Sequence, residues 1–111
     1  MKYITPACDS KEFLAGFNLH RKYWQEEHVE TITKRLVEES CELIKELMKL
    51  DRGRTERNGK PIRETIADEY ADLILCMEFL AKALNFTQEE IQERITAKSL
   101  RLVENLKQGK I

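Results

Sequence analysis

The chain has 111 residues, 19 basic against 20 acidic, and a net charge of −1. That length predicts one domain, residues 1–111, burying about two-thirds of its unfolded surface, and the balanced charge gives no general attraction for nucleic acid or an anionic membrane. The longest apolar run, Leu73 to Met77, falls far short of the ~20 residues that span a bilayer, and the opening Met1-Lys2-Tyr3-Ile4-Thr5-Pro6 has no apolar signal region, so a cytoplasmic protein is expected.

Four Gly, two Pro and 35% charged residues predict an all-α chain of about four helices with short connections. Asp9 or Ser10 can cap the first, with Glu12 three residues after Asp9 as in a capping box, and Phe13, Phe17 and Trp24 fall near one face before the helix fades around Glu27-His28. The second runs from about Thr31 to Leu50, where Ile32, Leu36, Leu43, Leu47 and Leu50 recur at helical spacing. A polar connection follows, with Asn58-Gly59 as its turn signal. Arg52, Arg54, Arg57, Lys60 and Arg63 make it basic, which is ordinary for a solvated loop and could also attract phosphate. The third helix, about Ile62 to Leu84, is the most apolar, and Thr87-Gln88-Glu89-Glu90 is a capping box that opens the fourth. Cys8, Cys41 and Cys76 are odd in number and form no C-x-x-C pair, so neither a disulfide framework nor a thiolate metal site is expected; Cys41 and Cys76 read as small buried hydrophobes.

The chemistry sits in two acidic clusters, Glu38-Glu39-x-x-Glu42 on the second helix and Glu69-x-x-Asp72 on the third. On a wheel of ~100° per residue, Glu39 and Glu42 edge the apolar arc of the second helix and Glu38 turns toward water. Glu69 lies inside the apolar arc of the third helix with Asp72 nearby, while Asp68 and Glu78 read as surface charge. Either cluster alone is common on solvated helices. Both together, on consecutive antiparallel helices, can meet at one level of a bundle. Like charges held close repel and lose hydration, so a compensating cation is expected. Ligation by oxygen alone, with no histidine in either cluster, favours Mg²⁺ or Mn²⁺ over Zn²⁺ or di-iron.

The segments Leu36-Val37-Glu38-Glu39-Ser40-Cys41-Glu42-Leu43 and Ala67-Asp68-Glu69-Tyr70-Ala71-Asp72-Leu73-Ile74 resemble the MazG-like all-α nucleoside triphosphate pyrophosphohydrolases, a group that includes dimeric dUTPases, dCTP pyrophosphatases and phosphoribosyl-ATP pyrophosphatases. The resemblance covers about residues 30–106 and rests on EExxE followed by ExxD in helices joined by a polar loop. It implies that Glu39, Glu42, Glu69 and Asp72 coordinate Mg²⁺ and that Glu38 orients or activates water, with Glu38 or Glu39 as the base. It also implies phosphate binding by Lys98, Arg101 and Asn105 on the fourth helix, although the family's usual aromatic or proline ending is missing after Asn105. Phe17, His20, Arg21 and Trp24 could frame a base, while ordinary packing explains Phe17 and Trp24 equally well.

The expected reaction is cleavage of a (deoxy)nucleoside triphosphate between its α and β phosphates. Gly16, Gly53, Gly59 and Gly109 are isolated, so a glycine-rich phosphate cradle is excluded and metal held by the acids must do that work. The second and third helices are apolar over arcs wider than one partner would cover, which predicts a homodimer or dimer of dimers. Two rivals stand beside this reading: a non-catalytic bundle acting as an assembly or regulatory subunit, and the same fold acting on phosphoribosyl-ATP.

Overall fold

A computed structural model describes residues 10–53, 55–57 and 59–110; Cys8, Asp9, Arg54 and Asn58 lie outside them. The described residues form four α-helices, α1 (Lys11–Trp24), α2 (His28–Asp51), α3 (Ile62–Ala83) and α4 (Gln88–Lys107), so the chain is all-α as expected. Among the described residues no helix is long and apolar enough to cross a membrane.

Ser10 caps α1: it is extended, and its hydroxyl accepts a hydrogen bond from the Phe13 amide at 3.0 Å. Gln25, with φ +40°, breaks the helix, and a single 3-10 turn over Gln25–Glu27 leads straight into α2. The second helix therefore starts three residues earlier than its apolar spacing suggested. The polar connection also holds more order than expected. Its strands β1 (Glu56–Arg57) and β2 (Lys60–Pro61) pair antiparallel, Glu56 with Pro61 and Arg57 with Lys60. Gly59 sits in the left-handed region at φ +80°, where a side chain would be strained. At the far end of α3, Asn85 takes φ +59° and closes a Schellman motif, with Phe86 N–H donating to Ala81 O at 2.9 Å and Asn85 N–H to Lys82 O at 3.1 Å.

The core gathers Phe13 and Phe17 from α1, Ile32 from α2 and Phe79 from α3, with Leu80 and Ala83 against it. Phe79 meets Phe13 at 5.2 Å and Phe17 at 5.8 Å between ring centroids, both tilted toward edge-on, the arrangement ring quadrupoles prefer. Trp24 does not join them. It is half exposed at the end of α1, and His28 instead stands edge-on to Phe17 at 5.0 Å.

Two further expectations are corrected. Cys41 is exposed, and only Cys76 is buried of the two. Glu78 is buried rather than on the surface. It lies about 160° round α3 from buried Cys76, so the helix is covered on two sides at this level, which a single apolar arc cannot reveal.

Helix α4 opens with the capping box read from the sequence. The Glu90 amide donates to the Thr87 hydroxyl at 3.1 Å and the Thr87 amide to the Glu90 carboxylate at 3.3 Å. Yet α4 buries none of its residues, and Ile95, Leu100, Leu102, Val103 and Leu106 are exposed. The radius of gyration is 16.9 Å, against about 13 Å for a compact chain of this length.

Candidate metal centre

The α2–α3 seam positions the site. Ile32, Glu39 and Glu46 follow one another seven residues apart on α2, and Phe79, Asp72 and Thr65 run seven apart in the opposite direction on α3. Seven residues are nearly two full turns, displaced by only ~20°, so each set forms one stripe. The stripes meet in antiparallel layers: Ile32 with Phe79 in the core, Glu39 with Asp72, and Glu46 with Thr65. The acidic layer is the middle one.

There Glu39, Glu69 and Asp72 each present a carboxylate oxygen, and the three atoms lie within 4.8 Å of one another. Glu39 and Glu69 are half buried and Asp72 is exposed. Glu69 and Asp72 stand one turn apart on α3, and Glu39 reaches them from α2. Arg35 lies 3.7 Å from Glu39, one turn back on α2, and offsets part of the charge.

The remaining expected residues lie further out. Glu42 falls outside the group of three and pairs with Lys45 at 3.6 Å, both side chains well exposed. Glu38 is exposed beside the group. Lys98 and Arg101 are exposed and Asn105 is half buried on α4, none of whose residues is fully buried. Trp24 is 6.3 Å from His20, ring to ring, at the end of α1.

Cys76 lies one turn beyond Asp72, and burial pushes its thiol pKa up. Arg35 opposes that shift, while Glu39, Asp72 and Glu38 add to it. Cys76 is not among the converging donors, which are all carboxylate oxygens. Such a set, open to solvent at Asp72, fits Mg²⁺ or Mn²⁺.

Two features escaped the sequence reading. His20 and His28 face each other with their Nδ1 atoms 2.9 Å apart, and both Nε2 atoms are buried without a partner. Burial lowers both pKa values; the neighbouring His28 and then Arg35 add to this at His20, and Arg21 at His28. The two histidines flank the break at Gln25, so no helical period relates them. Glu46 is the other. It is completely buried, with Lys49 at 3.1 Å from one carboxylate oxygen and Thr65 at 3.2 Å from the other. Its spacing of seven from Glu39 was the available signal.

A family model described as the MazG nucleotide pyrophosphohydrolase domain matches residues 27–105. That span runs from the start of α2 nearly to the end of α4 and leaves α1 outside. No curated protein and no solved structure matches the chain.

Proposed function

Because this chain belongs to the MazG nucleotide pyrophosphohydrolase domain family, and is therefore a nucleotide pyrophosphohydrolase, we propose that it hydrolyses a (deoxy)nucleoside triphosphate between the α and β phosphates with Mg²⁺ as its ion. One observation carries the reading: three carboxylate oxygens from α2 and α3 converge within 4.8 Å, inside the matched segment.

Glu39, Glu69 and Asp72 hold the ion, and Glu42 joins them by turning away from Lys45. That exposed pair contributes at most about 1 kcal/mol and yields readily. When bound, Mg²⁺ or Mn²⁺ offsets charge developing on the phosphate oxygens and makes water a better nucleophile. Glu38 takes the proton of the attacking water, since the Glu39 carboxylate is already committed to the group and to Arg35. Lys98, Arg101 and Asn105 bind the phosphates, and Trp24 stacks on the base. The extended shape and the apolar strip of α4 support a homodimer or dimer of dimers, in which a second copy covers that strip and completes the enclosure of the substrate. Light scattering after size exclusion is expected to give at least twice the chain mass; a stable monomer at micromolar concentration would remove that part of the reading.

A screen of dUTP, dCTP, oxidised and canonical triphosphates and phosphoribosyl-ATP, read as pyrophosphate release, tests the whole. Release from at least one triphosphate with Mg²⁺, lost with chelator, is the expected result. Release from phosphoribosyl-ATP alone would move the substrate to that class. If every compound stays intact with Mg²⁺ and with Mn²⁺, the proposed reaction is wrong.

A further inference from the structure

We infer that Glu46, through Thr65, is a positioning residue for the acidic group: the pair sets the register of α2 against α3 and thereby keeps Glu39 opposite Glu69 and Asp72. This rests on reading that group as the ion-binding centre.

The three layers of the seam differ in what they can specify. Ile32 against Phe79 is an apolar contact, and apolar attraction has no direction, so by itself it tolerates a slide of one helix along the other. The middle layer opposes pairing, because Glu39, Glu69 and Asp72 repel whenever no cation lies between them. The third layer is directional. Thr65 Oγ1 lies 3.2 Å from one oxygen of Glu46, and Lys49 Nζ lies 3.1 Å from the other. The Thr65 hydroxyl is also 2.8 Å from Ile62 O, in the first turn of α3, and shares its one hydrogen between the two acceptors. Glu46 is thus tied across the seam to the start of α3, where β2 ends.

Glu46 is fully buried, so a slipped register would strand its carboxylate away from Thr65, at the cost attached to a mismatched buried charge. A buried polar residue whose partner lies on the facing helix is the best-attested device for specifying register. The Glu46–Thr65 layer lies two turns, about 10 Å, from the acids, too far to touch the ion. Its effect passes through the helices. Together the apolar layer and the pinned layer bracket the repelling one and keep the carboxylates gathered before the ion arrives.

The test is Mn²⁺ titration of the full chain, followed by electron paramagnetic resonance, beside thermal melting. Thr65→Val, which keeps shape and removes the hydroxyl, is expected to weaken Mn²⁺ binding about tenfold, the lower end of what loss of ligand orientation costs, and Thr65→Ser to restore it. A role in stability alone would lower the melting temperature and leave Mn²⁺ affinity unchanged, and that result overturns the inference. Should Thr65→Val fail to fold, Thr65→Ala carries the same comparison, since it also removes the hydroxyl that reaches Glu46 and leaves the Lys49 contact in place. Glu69→Gln is the control: if it leaves Mn²⁺ binding intact, the metal-centre reading has failed and the inference falls with it.

Discussion

Helix α4 begins with a complete capping box yet buries none of its residues, whereas α2 and α3 begin without any side-chain cap and bury Ile32, Glu46, Cys76 and Phe79. Local signals and tertiary packing are therefore separate sources of order in this chain. A cap satisfies backbone donors at one end of a helix and contributes about 1 kcal/mol. It specifies no neighbour. The seam holds because two stripes with the same seven-residue spacing run against each other, and most helical stability in a folded protein comes from such matched faces. The seam is also where, among the described residues, three carboxylates from α2 and α3 converge.

The sharpest way to break the contrast is to empty the seam. Phe79→Ala is expected to cost about 3–5 kcal/mol in urea denaturation, while Leu102→Ala on exposed α4 costs within about 0.5 kcal/mol in dilute protein. Equal losses at the two positions would mean that α4 is packed as tightly as α3.

Within the seam, Asp72→Ala and Glu42→Ala are expected to lower turnover about 10²- to 10³-fold, read as pyrophosphate release. Without metal both variants should fold, and Asp72→Ala should melt slightly higher because a repelling charge has gone. Unchanged turnover in Glu42→Ala would leave that residue paired to Lys45 and restrict the centre to the three acids that already converge.

A smaller effect comes from the histidine pair at the junction of α1 and α2. Both folded pKa values lie below the ordinary 6.5, chiefly through burial, so the fold favours the neutral rings. Their contribution to stability is complete above that value and is lost as the pH falls through the folded pKa values. Two charged rings would also face each other beside Arg21 and Arg35. Melting temperature should therefore drop as the pH falls below about 6.5, and drop less in His28→Gln. The same slope in both proteins would place the acid sensitivity elsewhere.

The mildest change is Thr87→Ala, which removes the α4 cap and is expected to cost about 1 kcal/mol. Hydrogen exchange should report it as faster opening of the first turn of α4, with α2 and α3 protected as before. Loss of protection in the seam would show that α4 supports the rest of the chain.

The four helices were legible because capping residues and apolar spacing are local. Ser10, Thr87 and Glu90 act as read, and the helix limits differ mainly where Gln25 passes through a left-handed conformation that no composition rule marks. Within the site, the wheel set Glu39 at the edge of the apolar arc and Glu38 toward water, and in the fold Glu39 is half buried in the acidic group while Glu38 is exposed. Placing Glu42 at the edge of an apolar arc did not distinguish convergence from an ion pair along its own helix. Glu78 was misread because burial on two sides of a helix depends on how many neighbours cover it.

Helix class, the caps and the two acidic motifs are properties of neighbouring residues, and the amino-acid order was enough to specify them. Which acids meet, which glutamate is enclosed and which two histidines touch depend on the register of one helix against another. Register arises from layers spread across the chain, from Ile32 with Phe79 to Glu46 with Thr65, and no local stretch of sequence contains both members of any layer.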